Sequence, residues 1–152
     1  MFQHPFTVSA STMGDTTGIA PLTLGTDSTL EALPLHWAHL ELQALGGQAA
    51  DLFNQFPELP GLLLTDQDAV VGVLSRSRFL EFLLRPKGCE LFLAEPLSVI
   101  YSYARIRPLA FTVDTLILTA ARTVLRRPTN LQSEPIVVRT AEGDRLLNAH
   151  DL

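Results

Sequence analysis

The stretch from residue 59 to residue 80, LPGLLLTDQDAVVGVLSRSRFL, decides the fold. Residues 61–65 form a nearly continuous apolar run, which is typical of a strand buried on both faces. The polar triplet DQD predicts a turn between this run and a second apolar run at 69–74, so the two runs predict a β-hairpin. Ser75 is then placed to cap a helix that ends near Pro86.

A second predicted helix precedes the hairpin. Residues 48–56 place alanine, leucine and phenylalanine side chains on one helical face. The pair Gly46-Gly47 is expected to separate this helix from the short apolar segment at 40–45, and Pro57 is expected to end it. The first half of the chain therefore predicts a helix, a hairpin and a further helix in succession.

The second half of the chain predicts the same elements in the same order. Residues 108–113 are strand-like, and the helix that follows over 116–127 is expected to be capped by Asp114-Thr115. Residues 135–139 and 145–148 predict a second hairpin, because a short polar turn separates them.

The two halves form an internal repeat. GLLLT at 61–65 matches PIVVR at 135–139, and VLSRSR at 73–78 matches LLNAHD at 146–151. The unit is strand, helix, strand, strand, helix, and one copy is too small to bury its own apolar faces. The sequence therefore predicts an α/β fold in which two β-α-β-β-α repeats pack together around a pseudo-twofold axis.

The repeats divide the chain into four predicted segments. They are a partly ordered arm at 1–29, a first repeat at 30–87, an apolar connector at 88–105 and a second repeat at 106–152. Since the chain stops where the helix after residue 148 is expected to begin, the last helix of the second repeat is expected to be cut short. The connector is predicted either to join the core or to expose an apolar face for a dimer.

Composition limits the class of protein. The chain has 152 residues, of which 47% are hydrophobic and 18% charged, so it suits one folded domain, or two small halves that share a core, rather than a disordered segment. No apolar run reaches the roughly 18 residues that a membrane span needs. The N-terminus lacks the pattern of a secretory signal, and the single cysteine, Cys89, excludes an internal disulfide. We therefore expect a cytoplasmic protein.

Charge is divided unevenly along the chain. The first 75 residues contain eight acidic side chains and no lysine or arginine, whereas the rest contains eight acidic and eleven basic side chains. Ten of those eleven are arginines, which suit phosphate and carboxylate partners, although a GC-rich genome explains the same usage. A pI near 5.2 argues against duplex nucleic acid as the main partner.

Over residues 38–152 the sequence resembles a tandem pair of the CBS-domain family, which is named after cystathionine β-synthase. In the first repeat the resemblance is carried by LPGLLLTD at 59–66 and VGVLSRSRFL at 71–80. In the second repeat it is carried by EPIVV at 134–138 and LLNAHDL at 146–152.

A narrower resemblance points to a subgroup. SRFLEF at 77–82, Arg85-Pro86 and ELFL at 90–93 are similar to modules that precede histidine kinases and diguanylate cyclases in bacteria, cyanobacteria among them. This resemblance implies a regulatory module that acts on an output domain or on a separate partner protein.

The family resemblance implies a non-catalytic regulator with no required cofactor, commonly homodimeric. It implies that an adenine-type nucleotide binds in the cleft between the repeats, near the start of each repeat's last helix. The capping residue of the family falls on Ser75 and Asn148, while the ribose-binding aspartate falls on Arg78 and Asp151. With two further candidates for phosphate, the expected ligand residues are Ser75, Arg76, Arg78, Asn148, His150 and Asp151.

Each of these expected ligand roles has a purely structural alternative. Because Arg78 replaces the aspartate, the pair could be a degenerate interaction or assembly module without a small ligand. Arg76 and Arg78 could equally be surface charges or form an ion pair with Glu81, and Asp151 could be an ordinary acid in a first helical turn. His36 and His39 have the spacing of two metal ligands, but packing roles are the expectation for them, as they are for Cys89.

Overall fold

The computed structural model describes residues 23–152, which form two sheets with helices packed on them. The strands are β1 (Leu35–His36), β2 (His39–Glu41), β3 (Gly61–Asp66), β4 (Ala69–Ser75), β5 (Ala110–Thr112), β6 (Ile136–Thr140) and β7 (Gly143–Leu147). The α-helices are α1 (Gly46–Gln55), α2 (Arg76–Leu83), α3 (Gly88–Phe92), α4 (Leu97–Ala104) and α5 (Ile117–Leu125). Most of the predicted arm, residues 1–22, lies outside the described residues.

The order of elements confirms the α/β repeat. The first half runs β2, α1, β3, β4, α2, and the second runs β5, α5, β6, β7 and a short 3-10 helix, Ala149–Asp151. The registers match as well, because Leu63 donates its N–H to the Ala38 carbonyl and Val137 donates to the Leu109 carbonyl, both at 2.9 Å. Leu63 and Val137 are therefore equivalent positions in the two repeats.

The predicted hairpin forms between β3 and β4. The strands pair antiparallel, and the chain reverses through Gln67 and Asp68, whose φ angles are 49° and 65°. Positive φ angles at both central residues give a turn whose twist suits the two strands. The register shifts after Leu64, where Val71 is the extra residue on β4.

The glycine pair begins helix α1 instead of breaking the chain before it. The helix starts at Gly46, and the N–H groups of Gly46 and Gly47 donate to the carbonyls of Glu95 and Leu93 at 2.9 and 3.0 Å. A Cβ at Gly46 would clash with the main-chain oxygen of Phe92. The missing side chain is what lets the segment before α4 approach the helix.

The cap predicted at Asp114-Thr115 is wrong. Helix α5 begins at Ile117 after Leu116, which caps it with no side-chain hydrogen bond. Instead, the Ile117 N–H donates to the Ser28 carbonyl at 3.0 Å. A segment distant in the sequence therefore takes the helix terminus, which a local pattern does not predict.

The connector belongs to the core of the first half. Helices α3 and α4 contribute Phe92, Leu97, Ile100 and Ala104 to the apolar cluster built on β3, β4 and α2. Conversely, Leu30 and Leu33 pack with the second half, and β1 pairs antiparallel with β7. Each half is thus completed by the residues that precede the other half's first strand.

A small apolar cluster joins the two sheets. It consists of Leu63 and Val73 from the first repeat and Val137 and Leu146 from the second, all at most 5% exposed. These side chains alternate with those that face the helices, so each central strand is buried on both faces. The clefts between the repeats lie beside this cluster.

Candidate functional site

Helix α2 begins with the cap that the sequence predicts. The Ser75 hydroxyl accepts a hydrogen bond from the Arg78 N–H at 3.2 Å, which satisfies one of the free donors of the first turn. Ser75 is 2% exposed. Its oxygen is therefore engaged inside the protein.

The Arg76 side chain turns back onto helix α1. Its guanidinium donates to the carbonyls of Leu59 and Phe56, each at 3.0 Å, and to that of Phe53. It also lies 5.0 Å from the centre of the Phe53 ring. Burial lowers the pKa of Arg76 from its ordinary value. A cation here satisfies the free carbonyls at the end of α1, which is a structural role.

Arg78 forms an ion pair that crosses between the repeats. Its Nε donates to Oε1 of Glu134 at 2.7 Å, and Glu134 is 4% exposed. The other carboxylate oxygen, Oε2, is buried without a hydrogen-bond partner among the described residues. Glu81, the alternative partner of Arg78, pairs instead with Arg85 at 3.4 Å.

The three predicted residues of the second repeat lie together at the end of the chain. Asn148 Oδ1 accepts from the His150 N–H at 3.0 Å, so Asn148 caps the short 3-10 helix. His150 and Asp151 are exposed. Their counterparts in the first repeat are Ser77 and Arg78, and Arg78 carries the opposite charge to Asp151.

A cavity of about 520 Å³ lies between the repeats, beside the apolar cluster that joins the sheets. We name it the Tyr101 cleft. Residues 70–73 of β4 and Tyr101 line one side, and the other side is lined by residues 105–108 with Ala110, Val137, Arg139 and Asp144. None of the six ligand residues expected from the sequence lines it. Its size is within the range of small-molecule sites.

Positive charge dominates the Tyr101 cleft. Arg105, Arg107 and Arg139 line it against a single acid, Asp144. None of the three arginines forms an ion pair within residues 23–152, and Arg105 lies 6.0 Å from the centre of the Tyr101 ring. Three guanidinium groups beside valine and proline walls form a surface that suits an anionic ligand with an apolar part.

The sequence contains a pattern that indicates these arginines, although they are not among the expected site residues. Val137 and Arg139 are two residues apart on β6, so they share one face of the strand. Because Val137 faces the other sheet, Arg139 faces it too. Arg105 and Arg107 precede β5, at the edge where the two repeats meet.

Other chemistry-bearing side chains do not assemble into a site. Within residues 23–152, no three His, Cys, Asp or Glu side chains are grouped as metal ligands. His39 stacks on Trp37, with ring centres 5.4 Å apart. The Cys89 thiol lies 3.5 Å from the Leu83 carbonyl. None of the helices in this part of the chain is long and apolar enough to cross a bilayer.

Comparison with solved structures identifies the fold. The chain is similar to a CBS-domain protein of unknown function from Kribbella flavida, with a TM-score of 0.59 and 16% identity over 82% of this chain and 94% of that one. It is similar to a CBS-domain protein from Agrobacterium tumefaciens, with a TM-score of 0.62 and 13% identity over 84% and 92%.

A third similar structure is the CBS-domain part of a transcriptional regulator from Streptococcus pneumoniae, with a TM-score of 0.57 and 13% identity over 82% and 95% of the two chains. No family model and no curated protein matches the sequence. The fold is therefore that of a CBS-domain pair. The resemblance to a tandem CBS-domain pair is thus confirmed at the level of the fold, whereas the resemblance to modules of histidine kinases and diguanylate cyclases stays a prediction.

Proposed function

We propose that this protein is a non-catalytic regulatory module that binds an anionic ligand of the adenine-nucleotide class in the Tyr101 cleft. The observation that carries the proposal is a group of three arginines that form no ion pair within residues 23–152 and that line, with a single acid, a cavity of about 520 Å³. Apolar side chains of β4 and Pro108 offer a surface for a base, and the guanidinium groups offer donors for phosphate.

The proposal moves the ligand away from the residues that the family resemblance implies. Arg76 donates to main-chain carbonyls and Arg78 Nε donates to Glu134, so both guanidinium groups already have partners inside the protein, unlike the arginines of the Tyr101 cleft. Asp151 is exposed and stays a candidate for hydroxyl groups of a ligand, as do Asn148 and His150.

The ligand would act by favouring one arrangement of the two repeats. Residues of β4 form one wall of the cleft and residues of the second repeat form the other, so a bound ligand contacts both halves. A ligand shifts such an equilibrium only by its difference in affinity for the two arrangements. We propose that this bias passes to an output domain, of the histidine kinase or diguanylate cyclase type, or to a partner protein.

A thermal melt against AMP, ADP, ATP, S-adenosylmethionine, cyclic di-AMP and cyclic di-GMP tests the proposal. At about 100 times its dissociation constant a ligand adds roughly 2.7 kcal/mol, which raises the Tm by several degrees in a chain of this size. We expect a shift with a phosphate-bearing ligand and a smaller one with the cationic S-adenosylmethionine. A flat panel at millimolar concentrations would contradict the nucleotide proposal.

A partner-binding role without a small ligand is the second candidate. It is favoured by exposed apolar side chains on two helices: Leu84 beside α2 is 85% exposed and Leu125 of α5 is 69% exposed. Contiguous exposed apolar surface is typical of an interface, and we propose that these two leucines contribute to one. We propose a second copy of the chain as that partner, which is compatible with either role of the cleft.

A further inference from the structure

The pseudo-symmetry of the fold defines a second cleft opposite the Tyr101 cleft. His39 pairs with Leu63 in the first repeat, and Ala110 pairs with the equivalent Val137 in the second. Trp37, two residues before His39, is therefore equivalent to Pro108. We call the space around Trp37, between the first repeat and β7, the Trp37 cleft.

Large planar side chains meet in the Trp37 cleft. The Trp37 indole stacks on the His39 imidazole, with ring centres 5.4 Å apart and an angle of 29° between the rings. The Arg145 guanidinium lies 5.1 Å from the centre of the indole ring. Only 15% of the Arg145 side chain is exposed, so this contact between a cation and an aromatic face is largely shielded from water.

The equivalent positions of the Tyr101 cleft hold small residues. Pro108 replaces Trp37, Ala110 replaces His39, and Gly72 replaces Arg145, because Gly72 pairs with Leu64 where Arg145 pairs with Val138. All three line the cavity of about 520 Å³. Tyr101 lies against Gly72, where a Cβ would clash with the Tyr101 hydroxyl, and the cavity remains open beside it, next to Pro108 and Ala110.

Strand pairing also differs between the two clefts, because only the Trp37 cleft has a strand along its edge. Leu35 and His36 form β1, which pairs antiparallel with Leu147 and Leu146 of β7 and covers that edge of the sheet. Their counterparts, Ile106 and Arg107, belong to no strand, and both line the cavity beside β4.

We propose that the Trp37 cleft is closed by the chain's own indole, so that the protein takes one ligand per chain, in the Tyr101 cleft. The indole sits against a ring and a guanidinium, much as a planar base would sit in an open site. The prediction of one ligand per chain rests on the proposed function, whereas the closure of the cleft by Trp37 does not.

Cavity rescue tests the closure without any nucleotide. Trp37→Ala removes a partly buried indole from its contacts with His39 and Arg145, whereas Tyr103→Ala, the matched control, removes an aromatic ring that is 68% exposed. Free indole at about ten times its dissociation constant raises the folded-to-unfolded ratio about 11-fold, which is a Tm increase of roughly 3–6 °C. We expect this increase for Trp37→Ala only.

Equal shifts in both variants, or none in either, would overturn the closure. If Trp37→Ala does not fold, Trp37→Leu with indole or benzene as the probe replaces it. A measured shift in that variant, absent from Tyr103→Leu, supports the proposal, and no shift overturns it.

Titration with ATP tests the number of sites and reports on Trp37 directly, since Trp37 is the only tryptophan. We expect one ATP per chain and no shift of the tryptophan emission to longer wavelength, because the indole stays in place. Two ATP per chain, or a red shift on saturation, would overturn the proposal. If ATP and the other nucleotides do not bind, the proposed function fails, and the indole experiment alone decides the closure.

Discussion

At the residue scale, both arginines at the start of α2 have partners inside the protein. Arg76 holds the C-terminal end of α1 and Arg78 holds Glu134, although both resemble an anion clamp in the sequence. The local pattern identifies Ser75 as a cap because a cap and its partner lie three residues apart. It does not identify Glu134, because that partner lies 56 residues from Arg78.

Removing one member of the Arg78–Glu134 pair should destabilise the fold. Arg78→Gln leaves a carboxylate that is 4% exposed without its cation, and breaking a buried pair in this way costs about 3 kcal/mol. The free energy of unfolding in urea measures the loss. Arg85→Gln, which breaks an exposed pair with Glu81, is the control and should cost about 0.5 kcal/mol. Equal losses of unfolding free energy in the two variants would show that the Arg78–Glu134 pair stabilises the fold no more than an exposed pair does.

Arg76 offers a second test at this scale. Arg76→Lys keeps the charge but loses the planar fork that reaches three carbonyls, so we expect a loss of about 2 kcal/mol in the free energy of unfolding. Arg85→Lys is the matched control and should change it by less than about 0.5 kcal/mol. A neutral Arg76→Lys would mean that the carbonyl contacts do not support the end of α1.

At the element scale, the sequence predicts the central hairpin of each repeat well and the helix starts less well. Hairpin signals are local, because two apolar runs flank a turn at Gln67-Asp68. The starts of α1 and α5 depend on carbonyls of residues 93–95 and of Ser28, which are remote in the chain. The same reason explains why Leu30 and Leu33 pack with the second half.

The two glycines at the start of α1 should respond in opposite ways to replacement by alanine. A Cβ at Gly46 would clash with the Phe92 main chain, so Gly46→Ala should lower the free energy of unfolding by about 2 kcal/mol or more. At Gly47 the nearest atom is 3.4 Å away, so Gly47→Ala should raise it by about 0.5 kcal/mol through helix propensity. A neutral Gly46→Ala would contradict the close docking of α1 against residues 93–95.

At the scale of the whole molecule, the asymmetry of the clefts could not be predicted from the repeat alone. The repeat predicts two equivalent clefts, and the structure fills one with Trp37 and leaves arginines around the other. The difference between the clefts arises from single positions, such as the one that holds Trp37 in the first repeat and Pro108 in the second. The domain bounds at 30–87, 88–105 and 106–152 stay predictions for the folding units of the chain.

Self-association is also a prediction at this scale. If the exposed leucines form a dimer face, Leu84→Glu and Leu125→Glu should each convert the protein to a monomer, because a buried charge opposes the contact. Sedimentation equilibrium measures the mass of the particle. Glu90→Gln, an exposed change on α3, should leave the dimer intact. A wild-type monomer at high concentration would contradict the dimer.

Equilibrium dialysis of the tightest-binding nucleotide against two double variants tests the ligand site in the Tyr101 cleft most directly. Arg105→Gln with Arg139→Gln removes two guanidinium groups from the Tyr101 cleft, while Arg122→Gln with Arg126→Gln removes two exposed ones outside it. We expect the cleft variant to lose affinity by about 10-fold or more per arginine, since a charged hydrogen bond is worth about 1.5 kcal/mol or more. The control should bind like the wild type. Equal affinities in both variants would contradict a ligand site in this cleft.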